Sequence, residues 1–590
     1  MNKAVTYVLY CINLTLSYIK EYGLLKTITK IFQKIYSKIR RWLVTKGKMR
    51  FRLKKNERQQ QEDFAFSKNI KFSILVLLCN TPRKVLREML ESVLKQTYSN
   101  WELHLLDCSD SEHAYVGEIC SEYVREDSRV RYEHKGMEKI QNCMTIAMAT
   151  VLSGDYIALL NQNDAIHPSA LFENMLVICE KNADLLYSDE CKFRKRPQRA
   201  FDPFFKPGYA PDTLRSCNYM CRFAVFERKI LEKAGGLRDE FYESQNYDLI
   251  LRLTENANNI VRIAKILYYK RVVPDYSSSE YDMAKMALGK HLKRVKLEGD
   301  ITSLSNRYRI NYQLNDRPLI TIIIPNMDYV EDLEKCICSI FEKTTYPNYE
   351  IIIVENNSKN TETFLYYNTL KDNEKVKIII WEDSFNYSSI NNFALTHVLG
   401  QYVVFLNNDV EIISPNWIEE MLMYAQRNDV GAVGAKLYYP DDTIQHAGII
   451  LGLSGIAGHS HCGWKRSSPG YFEKLLISQN MIGVTAACLM VPVKVLREVN
   501  GFDESFAVAY NDIDLCMRIR KAGYLIVWTP YAEAYHYESK SRGQDNTPEK
   551  QKRFQNEASL FQMRWAMELE EGDPYYNENL TLERADYSVR

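Results

Sequence analysis

The 590-residue sequence predicts an α/β protein: two tandem, Rossmann-like domains with mostly parallel sheets, preceded by a basic amphipathic helix. Three observations carry this expectation. Short apolar runs of strand type alternate with helical stretches, the pattern of a parallel sheet with crossover helices. The alternation is written twice, at a nearly constant offset, which marks an internal duplication. Acidic and amide residues cluster where the strands end, and open α/β sheets bind their ligands there.

Residues 1–63 form the basic head. Residues 26–55 carry 12 Lys and Arg and no acid, although the whole chain is only +1. Leu24, Leu25, Ile28, Ile31, Phe32, Ile35, Ile39, Trp42 and Leu43 make one apolar stripe at helical spacing. Lys26, Lys30, Lys34, Lys38 and Arg41 line another face. Such a helix fits an anionic membrane surface. The apolar stretch 4–19 is interrupted by Thr6, Asn13, Thr15 and Ser17, so no transmembrane helix is expected. Gln59–Asp63 reads as a polar linker. The near-zero net charge offers no field for nucleic acid. Fourteen cysteines without paired metal spacing, behind no secretory leader, read as reduced thiols of a cytoplasmic protein.

The first copy spans 70–275 and the second 318–540, with 276–317 as a linker and 541–590 as a C-terminal helical extension. "FSILVLLCNT" (72–81) matches "LITIIIPNMD" (319–328), and "WELHLLDCSD" (101–110) matches "YEIIIVENNS" (349–358). Asp107 and Glu355 lie 248 apart, Asn163 and Asp409 lie 246 apart, and Asn246 and Asp512 lie 266 apart. The growth of about 20 places an insertion in the second copy, between about 440 and 480.

"FNYSSINNFA" (385–394), "VVFLNNDVEIISPNW" (403–417), "TIQHAGIILG" (443–452), "NDIDLCMRIRKAGY" (511–524) and "YHYESKSRG" (535–543) resemble glycosyltransferase family 2. The likeness is to its rhamnosyltransferase-like, cell-surface-polysaccharide branch. It is dense over about 318–590 and looser over 70–275. It implies the GT-A fold, a nucleotide-sugar donor, a glycan or lipid-linked glycan acceptor and a divalent cation, Mg2+ or Mn2+. The enzyme expected is an inverting glycosyltransferase at the inner face of the cell membrane.

The resemblance assigns roles in the second copy. Pro325, Asp328, Glu355, Asn386, Asn391, Asn392, Asn407 and Asn408 are expected around the donor. Asp409 holds the last position of the family's metal motif. Glu411 could add an oxygen, and His536 matches a further metal ligand; hard cations take such donors. His446, His459 and His461 read as acceptor- or diphosphate-loop residues. Asp512 is the candidate general base, since inverting transfer needs a carboxylate to take the acceptor proton. Asp514 accompanies it, orienting the loop.

The first copy keeps the skeleton and has Asn161, Gln162, Asn163 and Asp164 at the metal motif. Asn246 stands at the base position, where it cannot take a proton at neutral pH. Asp107, Asp189 and Asp248 remain. The first copy therefore reads as a scaffold and the second as the enzyme. A non-catalytic glycan-binding protein and a bifunctional transferase are the alternatives. A sugar nucleotidyltransferase would need a Gly-rich phosphate loop after the first strand, and neither copy has one.

Overall fold

The computed structural model describes residues 39–136, 152–220, 222–236, 238, 245–273, 278–304, 307–538 and 547–590. The first domain contains β1 (Phe72–Leu78), β2 (Trp101–Asp107), β3 (Val130–His134), β4 (Tyr156–Leu159), β5 (Ala165–Ile166), β6 (Leu185–Phe193), β7 (Phe201–Phe204), β8 (Val225–Glu227) and β9 (Ile260–Arg271). A hairpin comes next, β10 (Gly299–Leu304) with β11 (Arg307–Tyr312). The second domain contains β12 (Ile320–Asn326), β13 (Tyr349–Glu355), β14 (Val376–Ile380), β15 (Tyr402–Leu406), β16 (Val410–Ile412), β17 (Val430–Tyr438), β18 (Ile444–His446), β19 (Ile449–Leu451), β20 (Ala457–His459), β21 (Gln479–Met481), β22 (Cys488–Pro492) and β23 (Leu525–His536). The helices that position the site and the domain contacts are α1 (Lys55–Glu62), α2 (Gln245–Asn256), α3 (Ser278–Arg294), α4 (Tyr387–Leu395), α5 (Asn511–Lys521), α6 (Pro548–Arg564) and α7 (Ala566–Glu571).

The two sheets repeat one topology. The first runs β3-β2-β1-β4-β8-β6-β9-β5 and the second β14-β13-β12-β15-β22-β17-β23-β16, strand for strand. Four parallel strands lead each sheet, and the antiparallel β8 or β22 joins them to a second parallel pair. β12 and β13 are buried along nearly their whole length. Helices cover both faces of such a sheet, so its strands read as continuous apolar runs rather than alternating ones. The insertion supplies the β19–β20 hairpin and β21, while β18 pairs with β17 as β7 pairs with β6.

Three expectations change. Gln59–Glu62 belongs to α1 rather than to a linker. Residues 276–317 hold α3 and the β10–β11 hairpin, whose Tyr308, Ile310 and Tyr312 are buried on one face. That face joins a core running from Leu75 and Leu185 to Ile320 and Val404, so the segment cements the domains. The C-terminal extension is helical only to Glu571. Its remainder crosses to the first domain, where Pro574 O accepts from Gly208 N–H at 2.9 Å. A side chain at Gly208 would collide with that carbonyl, so only glycine permits the approach.

A buried ionic clasp also joins the domains. Asp212 of the first accepts from Arg427 of the second and from Arg215, and Asn480 Nδ2 donates to it at 2.8 Å. Burial alone would raise the Asp212 carboxyl, but the two guanidiniums win and hold it down to about 2. Most of the head's apolar stripe and its basic face lie outside the described residues. The described part, a helix over 39–48, exposes Ile39, Trp42 and Leu43. Among the described residues no helix is long and apolar enough to cross a membrane.

Candidate active site

The C-terminal ends of β12, β13 and β15 and the N-terminus of α5 meet at the second domain's cleft. Asp409 leaves β15 and His536 ends β23, and their Oδ1 and Nε2 lie 3.2 Å apart. Gln445 determines what that approach means. Its amide Nε2 donates to Glu538 Oε2 at 3.0 Å and to the His536 carbonyl at 3.4 Å. Its Oε1 therefore faces His536 Nδ1 at 2.7 Å, and Nδ1 must donate. Nε2 is left as an acceptor, and Asn407 Nδ2 sits 3.2 Å from it. The one lone pair of Nε2 takes the Asn407 N–H here, and a cation shared with Asp409 Oδ1 would take the place of that donor. Neighbouring ligands on one six-coordinate ion, each ~2.1 Å from it, are ~3.0 Å apart, so the pair fits a shared divalent ion. No group of three or more His, Cys, Asp or Glu placed to hold a metal occurs among the described residues. Asp409 and His536 would supply two ligands to such an ion, with water or substrate oxygens completing the shell.

Glu411 lies apart from this pair: it accepts from Tyr537 at 2.7 Å and approaches Lys343 at 3.8 Å.

Asp512 stands in the first turn of α5, where a carboxylate suits the helix dipole. Its Oδ2 accepts from Ala486 N–H at 3.3 Å and its Oδ1 from Ile513 N–H at 2.8 Å. Ala486 O in turn accepts from Tyr387 at 3.2 Å, and Tyr387 lies 3.5 Å from Asn407 Oδ1. One run of contacts thus connects Asp512 to the Asp409–His536 pair. Burial, then the charges of Asp512 and Asp409, push the Tyr387 phenol up and keep it a donor.

Asp514, named beside Asp512 in the catalytic set and expected to orient the loop, keeps only the loop-orienting role. It is fully buried, and its oxygens accept from Arg518 at 2.8 Å, Arg564 at 2.9 Å and Trp565 at 3.1 Å. Arg518 continues to the carbonyls of Val499 and Gly501. Asp514 therefore clamps α5 to the preceding loop and to the α6–α7 junction. The first domain has the same device, Asp248 with Arg252 at 2.6 Å, and Arg252 reaching the carbonyls of Ala234 and Gly236. The duplicated Asp-Leu…Arg segment repeats this clamp. The acid two residues earlier is what differs.

The expected donor-side residues gather at the strand ends, several as supports. Asp328 Oδ1 accepts from the Lys359 and Asn360 amides at 2.9 and 2.8 Å. Glu355 accepts from Ser358 N–H at 2.5 Å, Ser358 Oγ at 2.7 Å and Tyr367 at 2.6 Å. Asn408 donates to Asn326 at 2.7 Å, and Asn326 to Tyr367 at 2.8 Å, which ties Asn408 to Glu355. Pro325 pairs with Val354 inside the sheet. Asn386 caps α4 and donates to Glu504 O at 2.8 Å. Asn392 grips Phe502 through both its N–H and its carbonyl. Asn391 is wholly buried and bonds back to Tyr387 O at 2.8 Å. Asn386 and Asn392 hold the loop 502–510 that leads to Asp512.

Sequence reasoning missed Tyr387, Gln445 and Glu557. Glu557 accepts from Ala509 N–H at 2.6 Å, just ahead of Asp512, from the far side of that loop. The motif stretches around Tyr387 and Gln445 were visible, but nothing local says what these side chains touch. A cavity of about 480 Å3 between that loop and α6 is lined by Ser505, Glu549, Lys552 and Asn556 among others. It does not include Asp409, Asp512 or His536.

The first domain's equivalent region is filled by its own side chains. Gln162 Oε1 accepts from Cys79 N–H at 2.7 Å and Thr81 Oγ1 at 2.5 Å, closing the end of β1. Glu411 faces Tyr535 across its ladder as Ala165 faces Tyr269, so Lys270 stands where the second domain has His536. Asp164 is buried under Tyr268, at 2.5 Å, and Arg271 N–H, at 2.7 Å. Asp107 is bound by Ser109 N–H and Tyr132. The side chain of Asn246 lies outside the described residues.

Two tandem GT-A-type domains, one with this acid–imidazole cleft, place the protein among the glycosyltransferases. The chain belongs to glycosyl transferase family 2, whose model matches residues 73–235 and 321–499, one stretch in each domain. An uncharacterized protein of Sinorhizobium fredii is 38% identical over 87% of this chain and 58% of its own length. The O-antigen biosynthesis protein RfbC of Myxococcus xanthus is 35% identical over 86% of this chain and 40% of its own. The chain thus spans about half the length of these relatives. A solved structure of S. aureus TarS with UDP-GlcNAc is 18% identical over 39% of this chain and 68% of its own, with a TM-score of 0.31.

Proposed function

We propose that the second domain transfers a glycosyl group, with inversion, from a nucleotide-sugar to a glycan acceptor in surface polysaccharide synthesis. The acceptor is lipid-linked, and the basic head holds the enzyme on the anionic inner face of the cell membrane. The exposed Trp42 beside Arg40 and Arg41 supports that placement. RfbC supports the polysaccharide role. So does the N-acetylglucosaminyl-diphospho-decaprenol L-rhamnosyltransferase of Mycobacterium tuberculosis, 32% identical over 24% of this chain and 49% of its own.

The observation that carries the reading is the cleft itself. His536 turns a lone pair toward Asp409 on one side, and Asp512 stands on the other. In the step, an acceptor hydroxyl oxygen bonds to the anomeric carbon and its proton passes to Asp512. The bond from that carbon to the diphosphate breaks, and its electron pair leaves with the nucleoside diphosphate. A divalent ion held by Asp409 and His536 would supply positive charge to that leaving group. The first domain serves as a scaffold, with Asp107, Gln162 and Asp164 engaged by its own backbone and side chains. Nucleotide release from a panel of UDP-, GDP- and dTDP-sugars tests the reading. Release with one donor, lost on chelation and in Asp409→Ala, supports it; no release with any donor sinks it.

A further inference from the structure

Two histidines of the segment from β18 to β20 stand beside Asp512 without a role in that step. His446 ends β18 and is fully buried; His459 ends β20 and is partly exposed. Their Nδ1 atoms lie 2.8 Å apart with the rings edge to face. The protons can be placed. The Thr485 amide approaches His446 Nε2 at 3.3 Å, and an amide N–H can only donate. His446 therefore carries its proton on Nδ1 and donates it to His459 Nδ1. His459 in turn must carry its proton on Nε2. Burial, and for His446 also the neighbouring ring, keeps both imidazoles below the usual range and so neutral. The next amide along, Ala486 N–H, is the one that holds Asp512. Adjacent amides of the loop that leads into β22 thus orient the base and the histidine pair. The Nε2–H of His459 has no hydrogen-bond acceptor among the described residues.

A neutral N–H donor next to a carboxylate acceptor matches a hydroxyl, which accepts and donates at once. A diphosphate would call for cationic partners instead. We propose that His459 donates its Nε2–H to the acceptor's reacting hydroxyl, holding it against Asp512, and that His446 is the positioning residue that fixes the tautomer. One lone pair of that oxygen then takes the hydrogen bond while the other attacks. This inference rests on the transfer reaction proposed above.

The test compares full-length wild type, His459→Phe, His459→Gln and His446→Phe, using p-nitrophenyl glycosides as soluble acceptors. Loss of one neutral hydrogen bond predicts an acceptor KM about tenfold higher in His459→Phe, with the donor KM moving less than about threefold. His459→Gln, whose amide N–H reaches the place of Nε2, recovers most of the loss. His446→Phe shows a smaller rise in acceptor KM. An unchanged acceptor KM in His459→Phe, or a donor KM rising in step with it, overturns the inference. Histidine-selective 15N NMR reads the tautomer whether or not a glycoside is accepted. A proton on Nε2 of His459 that moves in His446→Phe is expected, and a proton on Nδ1 overturns the inference. A wild type that consumes no nucleotide-sugar defeats the transfer reading instead, which is a separate result.

Discussion

The two domains share an eight-strand order and a helix clamp, yet they differ at one pair of strand ends. An acid faces an imidazole at the ends of β15 and β23, and among the described residues no such pair stands at the ends of their counterparts, β4 and β9. Asp248–Arg252 and Asp514–Arg518 are interchangeable in geometry. Where the second domain sets Asp409 against His536, the first has Asn163 and Lys270. Asp189 of the first is sealed by the C-terminal tail: Asn577 Nδ2 reaches its two oxygens at 3.0 and 3.1 Å, and Lys206 N–H donates at 2.9 Å. The difference teaches that what persists in both copies is structural. On the reading proposed above, chemistry resides in residues that fold stability does not require, so a copy can lose it and still pack.

The largest effect that sharpens this contrast is at Asp512. Asp512→Asn should lower turnover by at least about 100-fold in steady-state assays. Asn163→Asp with Asn246→Asp in the first domain should restore no transfer to that variant. Product made by the double repair would show two sites rather than one.

Breaking the shared clamp should affect both domains. Asp248→Ala leaves the buried Arg252 guanidinium without its carboxylate, at a cost of about 3 kcal/mol or more, and Asp514→Ala leaves the partly exposed Arg518 and Arg564 without theirs, at a somewhat smaller cost. Urea unfolding should show it in both, while residual turnover per folded molecule falls mainly in Asp514→Ala. Equal loss of turnover in both would mean that the first domain participates in transfer.

A smaller effect should come from the tail. Burial pushes the Asp189 carboxyl up to about 7. Its folded pKa lies above its ordinary value, so the folded state binds the extra proton between about pH 4 and 7. Stability should therefore fall as pH rises through that window. Asp189→Asn should flatten this slope in urea midpoints measured from pH 5 to 8, without changing donor turnover. A wild-type midpoint that rises over the same range would contradict the assignment. The smallest effect is expected at Glu411, whose partners are Tyr537 and Lys343. Glu411→Gln should leave metal-dependent turnover within about threefold, as for a surface polar contact. A collapse of activity would return it to the metal site.

The sequence by itself determined the strand runs, the duplication and the insertion. Strands buried on both faces must read as apolar runs, and such runs are local. It also singled out Asp409, His536 and Asp512, through the resemblance of their short motifs to the family's. Tertiary structure decided which groups face one another across the site and which are supports. Asp514 looks like a second catalytic acid until Arg564 and Trp565, some fifty residues on, close over it. Gln445 is an ordinary strand residue until the fold brings it to His536 and leaves the Nε2 lone pair facing Asp409. Asn577 reaches Asp189 across nearly four hundred residues. No local periodicity encodes such pairings, because a hydrogen bond's partner is set by how whole elements pack and not by the spacing of residues along the chain.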